Sequence, residues 1–156
     1  MIEVRRYLAD HDATMHAGGA LAPGVHGGMI VTLSGELGAG KTTLVRGMLR
    51  GLGWSGPVKS PSFALVEHYQ FPSLYFYHFD FYRVEGSDEW DSAGFAEYFH
   101  PESIAVIEWP ARVSARLRAI DVEVNLEHAE PGRKLTLRAR TEAGEACLAR
   151  FAEAMA

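Results

Sequence analysis

A chain of 156 residues, 47% hydrophobic and 22% charged, has the size and composition of one globular domain with a real core, spanning residues 1–156. Its formal charge of −5 provides no basic field to gather RNA or DNA, and no apolar run reaches the roughly 18 residues that cross a bilayer. The start, M-I-E-V-R-R-Y-L-A-D, lacks the apolar core of a secretion signal, and the single cysteine, Cys147, excludes an intrachain disulfide, so the cytoplasm is the expected address.

In chain order, residues 2 to 8 are expected as an edge strand. Asp10 or Asp12 caps a helix through Ala13 to Leu21, which Pro23-Gly24 ends. Met29 to Leu33 (M-I-V-T-L) is short, apolar and β-branched, as a buried parallel strand should be. The stretch G-E-L-G-A-G-K-T-T, Gly35 to Thr43, then reads G-x-x-x-x-G-K-[ST], a phosphate-binding loop. Leu44, Val45, Met48, Leu49 and Leu52 follow at helical spacing, with Arg46 and Arg50 on another face. Strand, glycine loop and helix stand in the order the mechanism needs. Gly35, Gly38 and Gly40 let backbone N–H groups turn inward around phosphate, with Ala39 between them, and the helix N-terminus faces the anion. Lys41 is placed to reach the outer phosphates, and the Thr42 hydroxyl to hold Mg²⁺. The only lysines are Lys41, Lys59 and Lys134, so a residue rare in this chain stands where a compact, flexible cation is wanted.

Beyond Trp54-Ser55-Gly56-Pro57, the segment Val58 to Ser62 reads as an exposed polar loop, with Ser60 and Ser62 either sensing a γ-phosphate or simply making a turn. Phe63 to Tyr69 and Leu74 to Tyr82 are aromatic-rich and β-prone, a hairpin around Phe71-Pro72-Ser73. Asp88 is expected to cap a helix to Phe99, stopped by Pro101. Ile104 to Ile107 is a buried strand, and a short helix with Val113 and Leu117 leads to a second hairpin, Val122–Leu126 and Leu135–Ala139, around Pro131-Gly132. The tail from Glu142 spaces Cys147, Phe151 and Met155 as a closing helix. These elements make an α/β sandwich of the P-loop NTPase kind: a central mixed sheet, flanking helices and antiparallel additions.

A phosphate loop needs a carboxylate at the end of a neighbouring strand. Two qualify: Glu108, closing I-A-V-I-E, and Asp80, closing Y-F-Y-H-F-D. Mg²⁺ takes one or two protein carboxylates, so one acid anchors the metal while the other orients the attacking water, and spacing does not rank them. His78 lies on the same strand face as Asp80 and reads as a hydrogen-bonded packing histidine rather than a base. Trp109 either stacks on a base or partner, or packs in the core at the strand end.

The stretches Gly35 to Thr43, V-K-S-P-S-F-A-L-V-E-H-Y (Val58 to Tyr69), H-F-D-F-Y-R (His78 to Arg83), E-Y-F (Glu97 to Phe99) and V-I-E-W-P (Val106 to Pro110) together resemble the TsaE family, in its order and at its spacing. The likeness runs from about Ala13 to Gly132-Arg133, with Glu36 where Asp is usual and Ser62 where Thr is usual. The resemblance implies an ATPase using ATP and Mg²⁺, coupled to a TsaB–TsaD complex that transfers threonylcarbamoyl onto the adenosine beside the anticodon, with tRNA reached through that complex. It implies Thr42 and Glu108 at the metal, Asp80 at catalysis and at the metal's edge, and Trp109 at an essential aromatic position. It also places the Asp10–Thr14 segment, with Asp12 and Thr14, and Arg133 near the nucleotide, with the loop through Thr43. The residues alone leave two other readings: a small-molecule phosphotransferase acting near Asp80, and a nucleotide-gated interaction module. The short chain, with little room for a lid or acceptor subdomain, argues against the first. Arg83, beside the Asp80 strand, is the best internal candidate for an arginine finger.

Overall fold

The computed structural model describes residues 2–36, 38–61, 65–82, 87–113 and 117–156, the side chains of residues 87, 88 and 112 excepted. Strands β1 (Glu3–Leu8), β2 (Ile30–Ser34), β3 (Val66–Phe71), β4 (Leu74–Asp80), β5 (Ser103–Glu108), β6 (Val122–Ala129) and β7 (Gly132–Ala139) form one seven-stranded sheet in the order β1-β7-β6-β2-β5-β4-β3. The middle four, β6, β2, β5 and β4, run parallel. Antiparallel β3 closes one edge, and the antiparallel pair β7 and β1 the other. The fold is therefore the expected mixed α/β sandwich, with both hairpins and the edge strand at residues 3–8.

Parallel strands buried on both faces need apolar residues at every position, and β5 is buried throughout its length. Alternation splits its side chains between two cores. Ile104 and Val106 join Val31, Leu33 and Phe76 under α1 (His11–Leu21), α2 (Lys41–Gly51) and α4 (Glu142–Ala154). Ala105 and Ile107 join Ile30, Phe79 and Phe81 on the other face, beneath Trp90 of α3 (Ser87–Ala93) and Phe95. In α2, Leu44, Met48 and Leu49 are fully buried, each contributing about 1.5–3 kcal/mol of transfer free energy. The backbones of α1 and α2 touch: a Cβ on Gly18 would lie 2.1 Å from Leu44 O, and one on Gly47 2.1 Å from Met15 O. That approach brings the start of α1 beside the start of α2.

One expectation is corrected. The helix drawn from Asp88 to Phe99 is two pieces, because Gly94 takes a left-handed φ of 71° between α3 and a 3₁₀ turn at Phe95–Tyr98. A 3₁₀ turn covers Pro110–Arg112 with Val113 as its C-terminal flank, and the short helix expected between Val113 and Leu117 falls on residues outside those described. Residues 114–116 of that stretch lie outside the described residues, as do Ser62, the first two residues of the Phe63–Tyr69 run, Arg83 and the Asp88 side chain. Among the described residues, no helix is long and apolar enough to cross a membrane.

Candidate functional site

Strand β2 ends at Ser34 and α2 begins at Lys41, so the glycine loop bridges the carboxyl end of a central strand and a helix N-terminus. The backbone there could not carry ordinary side chains. Gly35 has φ 150° and its Cβ would sit 2.4 Å from Leu126 O, while Gly40, with φ 103°, is the N-cap of α2. Gly40 offers no capping side chain, so the first N–H groups of α2 point out of the helix end without one. N–H groups left open at such a helix end could receive an anion.

Opposite the loop, β4 and β5 end together: Asp80 pairs in register with Glu108, and Leu33 of β2 pairs with Glu108 on its other side. Both acids thus stand at the carboxyl edge of the parallel strands. Glu108 is only 5% exposed. Its Oε2 accepts a 2.6 Å hydrogen bond from Nε2 of the buried His78, and its Oε1 lies 3.4 Å from Lys41 Nζ. Burial pushes the Glu108 carboxyl up, but the His78 hydrogen bond and the His78 and Lys41 charges outweigh it and hold the group below its ordinary value. Lys41 also donates to Gly35 O at 2.7 Å, which tethers the ammonium to the loop. Asp80 is half-buried, and its Oδ1 accepts from the Tyr82 backbone N–H at 3.0 Å.

Trp109 closes the Lys41 side. Its backbone sits at φ 58°, ψ 52°, left-handed and costly by about 1–3 kcal/mol for a bulky residue. The ring lies 5.2 Å from Lys41 Nζ, a cation–π distance, and 4.9 Å from the ring of Tyr82. It is half-buried and packs against the core that holds Phe79 and Ile107, as the strand-end packing reading expects. At the far side, Arg133 donates from Nε to Ala39 O at 3.1 Å and from a terminal nitrogen to Gly38 O at 3.1 Å, lashing β7 to the loop.

These groups line one cleft of about 430 Å³. Gly38, Ala39, Gly40, Lys41, Thr42, Thr43, Ser60, Asp80, Glu108, Trp109, Arg133 and Thr14 all border it, and Gly35 borders a smaller cavity behind Lys41 and Trp109. Asp12 does not: it is exposed in the first turn of α1, and Asp10 is the cap, its side chain accepting from Ala13 N at 2.8 Å. Thr14 is buried, its hydroxyl turned to Asp10 O. His11, within the Asp10–Thr14 segment but not itself singled out, borders the cleft with its Nε2 3.1 Å from the Thr43 hydroxyl. The pair is 32 residues apart in the chain, a distance that only the α1–α2 contact closes.

The donor set suits a hard cation. The Thr42 hydroxyl and the two strand-end carboxylates are oxygens, and among the described residues no group of three or more His, Cys, Asp or Glu assembles an all-protein metal site. Mg²⁺ shared between one or two protein oxygens and phosphate oxygens needs none.

A model of the TsaE family, described as threonylcarbamoyl adenosine biosynthesis protein TsaE, matches residues 8–136. The tRNA threonylcarbamoyladenosine biosynthesis protein TsaE of Haemophilus influenzae is 42% identical over 123 residues, covering 79% of this chain and 78% of that protein. The protein of the same description from Synechocystis is 38% identical over 117 residues, covering 69% of this chain and 70% of its own. Among solved structures, the crystal structure of YdiB from Bacillus subtilis superposes with a TM-score of 0.84 across 99% of this chain and 97% of that one, at 24% identity, a likeness of fold.

Proposed function

The chain belongs to the TsaE family of threonylcarbamoyladenosine biosynthesis proteins, and from that premise we propose that it is a Mg²⁺-dependent cytoplasmic ATPase whose turnover serves the tRNA modification through a TsaB–TsaD complex. The observation that carries the ATPase reading is the meeting, in one cleft, of the left-handed glycine loop, Lys41, Thr42 and two strand-end carboxylates in register.

In this reading the loop N–H groups and the α2 N-terminus receive the phosphates of ATP. Lys41 leaves Glu108 and Gly35 O for the outer phosphate oxygens, a short swing for a flexible side chain. Thr42 and Glu108 would hold Mg²⁺, which when bound would offset the charge that develops on the phosphate oxygens. Asp80 orients the attacking water. The water oxygen bonds to the γ-phosphorus as the bond to the β–γ bridging oxygen breaks, one water proton is released to solvent, and ADP and inorganic phosphate leave. Trp109 walls Lys41 from solvent on one side, which strengthens its field at the phosphates.

A partner completes the site. Among the described residues, Arg133 is the arginine that borders the cleft, and its guanidinium is taken up by Gly38 O, Ala39 O and Gly132 O. An arginine finger is worth roughly 10³–10⁵ in rate, so the isolated protein turns over slowly. The test is ATP hydrolysis measured with the protein alone, with the TsaB–TsaD complex, and with complex and tRNA. A marked acceleration on adding the complex is expected; a fast isolated enzyme indifferent to it overturns the coupling, and a phosphorylated small-molecule product overturns the ATPase reading.

A further inference from the structure

His78 takes no part in the chemistry just described, yet it occupies the most enclosed polar position beside it. The ring is fully buried on β4, two residues before Asp80, and Nε2 donates to Glu108 Oε2 at 2.6 Å. Its other nitrogen, Nδ1, is buried without a hydrogen-bond partner among the described residues. A buried polar atom left unpaired costs stability, and a phenyl ring there would bury without that cost. The whole polar capacity of the imidazole thus goes to one oxygen of one carboxylate.

We propose that His78 is a positioning residue for Glu108. By holding Oε2, it leaves Oε1 as the oxygen facing Lys41 and the cleft. Released, the carboxylate turns both oxygens onto Lys41 Nζ, in a buried site where little water competes for either charge. The pair then withdraws its acid from the metal and its ammonium from the phosphates at once. His78 acts through Glu108 and touches no reacting atom.

Three substitutions separate this role from packing. In His78→Gln the amide nitrogen reaches about as far as Nε2; in His78→Asn it reaches only as far as Nδ1; His78→Phe keeps the ring and loses the bond. Two measurements are made: crystal structures without nucleotide, and the Mg²⁺ concentration for half-maximal binding of a fluorescent, non-hydrolysable ATP analogue. The second rests on the Mg²⁺·ATP reading of the cleft, and the first does not. Positions around a metal ligand typically cost 10–100-fold in metal affinity when altered, so the Asn and Phe variants are expected to need at least about tenfold more Mg²⁺, with both Glu108 oxygens turned to Lys41. The Gln variant is expected within about threefold of the parent, with Glu108 in place. The proposal is overturned if Gln is as impaired as Phe, if all variants share the parent's Mg²⁺ midpoint and differ only in melting temperature, or if Glu108 keeps its orientation in the Phe and Asn structures. Should the Phe variant not fold, Gln against Asn makes the same comparison. Should the parent bind no nucleotide, the ATPase reading fails alone, and the orientation of Glu108 in the structures still decides the role of His78.

Discussion

The sheet carries a buried acid at each end of its parallel strands, and the two are built to opposite rules. Asp121 stands just before β6, at the amino end, and is 7% exposed. Its Oδ2 accepts from Ile30 N at 2.8 Å and its Oδ1 from the Thr141 hydroxyl at 2.6 Å, while that hydroxyl accepts from Gly144 N to cap α4. Its backbone is paired too, N to Ile30 O and O to Arg140 N. Glu108, at the carboxyl end and 5% exposed, instead faces the Lys41 ammonium and an imidazole whose other nitrogen has no partner among the described residues, and the next residue, Trp109, is left-handed. Neutral, fixed donors around Asp121 make a staple joining two strands and a helix. A charged ammonium and an incompletely matched imidazole around Glu108 make a place where a ligand has something to gain.

That contrast breaks most visibly at Lys41. Lys41→Ala is expected to lower ATP turnover by about 10²–10³-fold, the usual cost of deleting one charge-stabilising donor in an active site, and steady-state hydrolysis near the parent level would remove the glycine loop from the chemistry. Thr42→Ala is expected to behave alike. Next in size, Asp80→Asn is expected to bind Mg²⁺·ATP nearly normally and turn over at least about a hundredfold more slowly, whereas Glu108→Gln raises the Mg²⁺ requirement. Nucleotide affinity, Mg²⁺ titration and single-turnover rates for each variant check this, and the opposite pattern exchanges the two roles.

The two ends differ equally in how legible they were in the sequence. The carboxyl end announces itself: a G-x-x-x-x-G-K-[ST] loop after a β-branched run, and acids closing two aromatic or aliphatic strands, are local patterns that survive folding because each sits at the end of its own element. Asp121 has no pattern; its partners are Ile30, 91 residues back, and Thr141, 20 ahead. The same reach hides the His11–Thr43 contact and explains why Asp10 and Asp12, two acids before one helix, were not ranked: the cap depends on which backbone turns first. The helix over 88–99 was overdrawn because Gly94 fits a helical window but takes a left-handed φ that ends it.

A stability measurement sharpens the comparison from the other end. Asp121→Ala leaves the Ile30 N–H without its acceptor and the Thr141 hydroxyl with one fewer partner, at about 1–3 kcal/mol per stranded buried group. Urea unfolding is expected to show a loss of about 2–4 kcal/mol, while turnover per folded molecule stays within about twofold of the parent. A variant that unfolds no more easily but hydrolyses ATP poorly would mean that the amino end also shapes the cleft.

The smallest effect concerns pH, and its sign follows from Glu108. Burial opposes its ionisation, and the His78 hydrogen bond with the Lys41 charge overcomes that, leaving the folded carboxyl below the ordinary 4.5. The unfolded chain therefore binds the proton first as pH falls, and stability must decline with it. The contribution is fully present above pH 4.5 and fades as pH drops through the lower folded value. Because burial works against the pairing, the net contribution is the modest remainder of opposed effects. Glu108→Gln removes the titrating group, so the difference in unfolding free energy between parent and variant, measured without nucleotide from pH 6 downward, is expected to narrow below pH 4.5. A difference that widened instead would mean the proton is held more tightly in the folded state, and that burial, not Lys41 and His78, governs this acid.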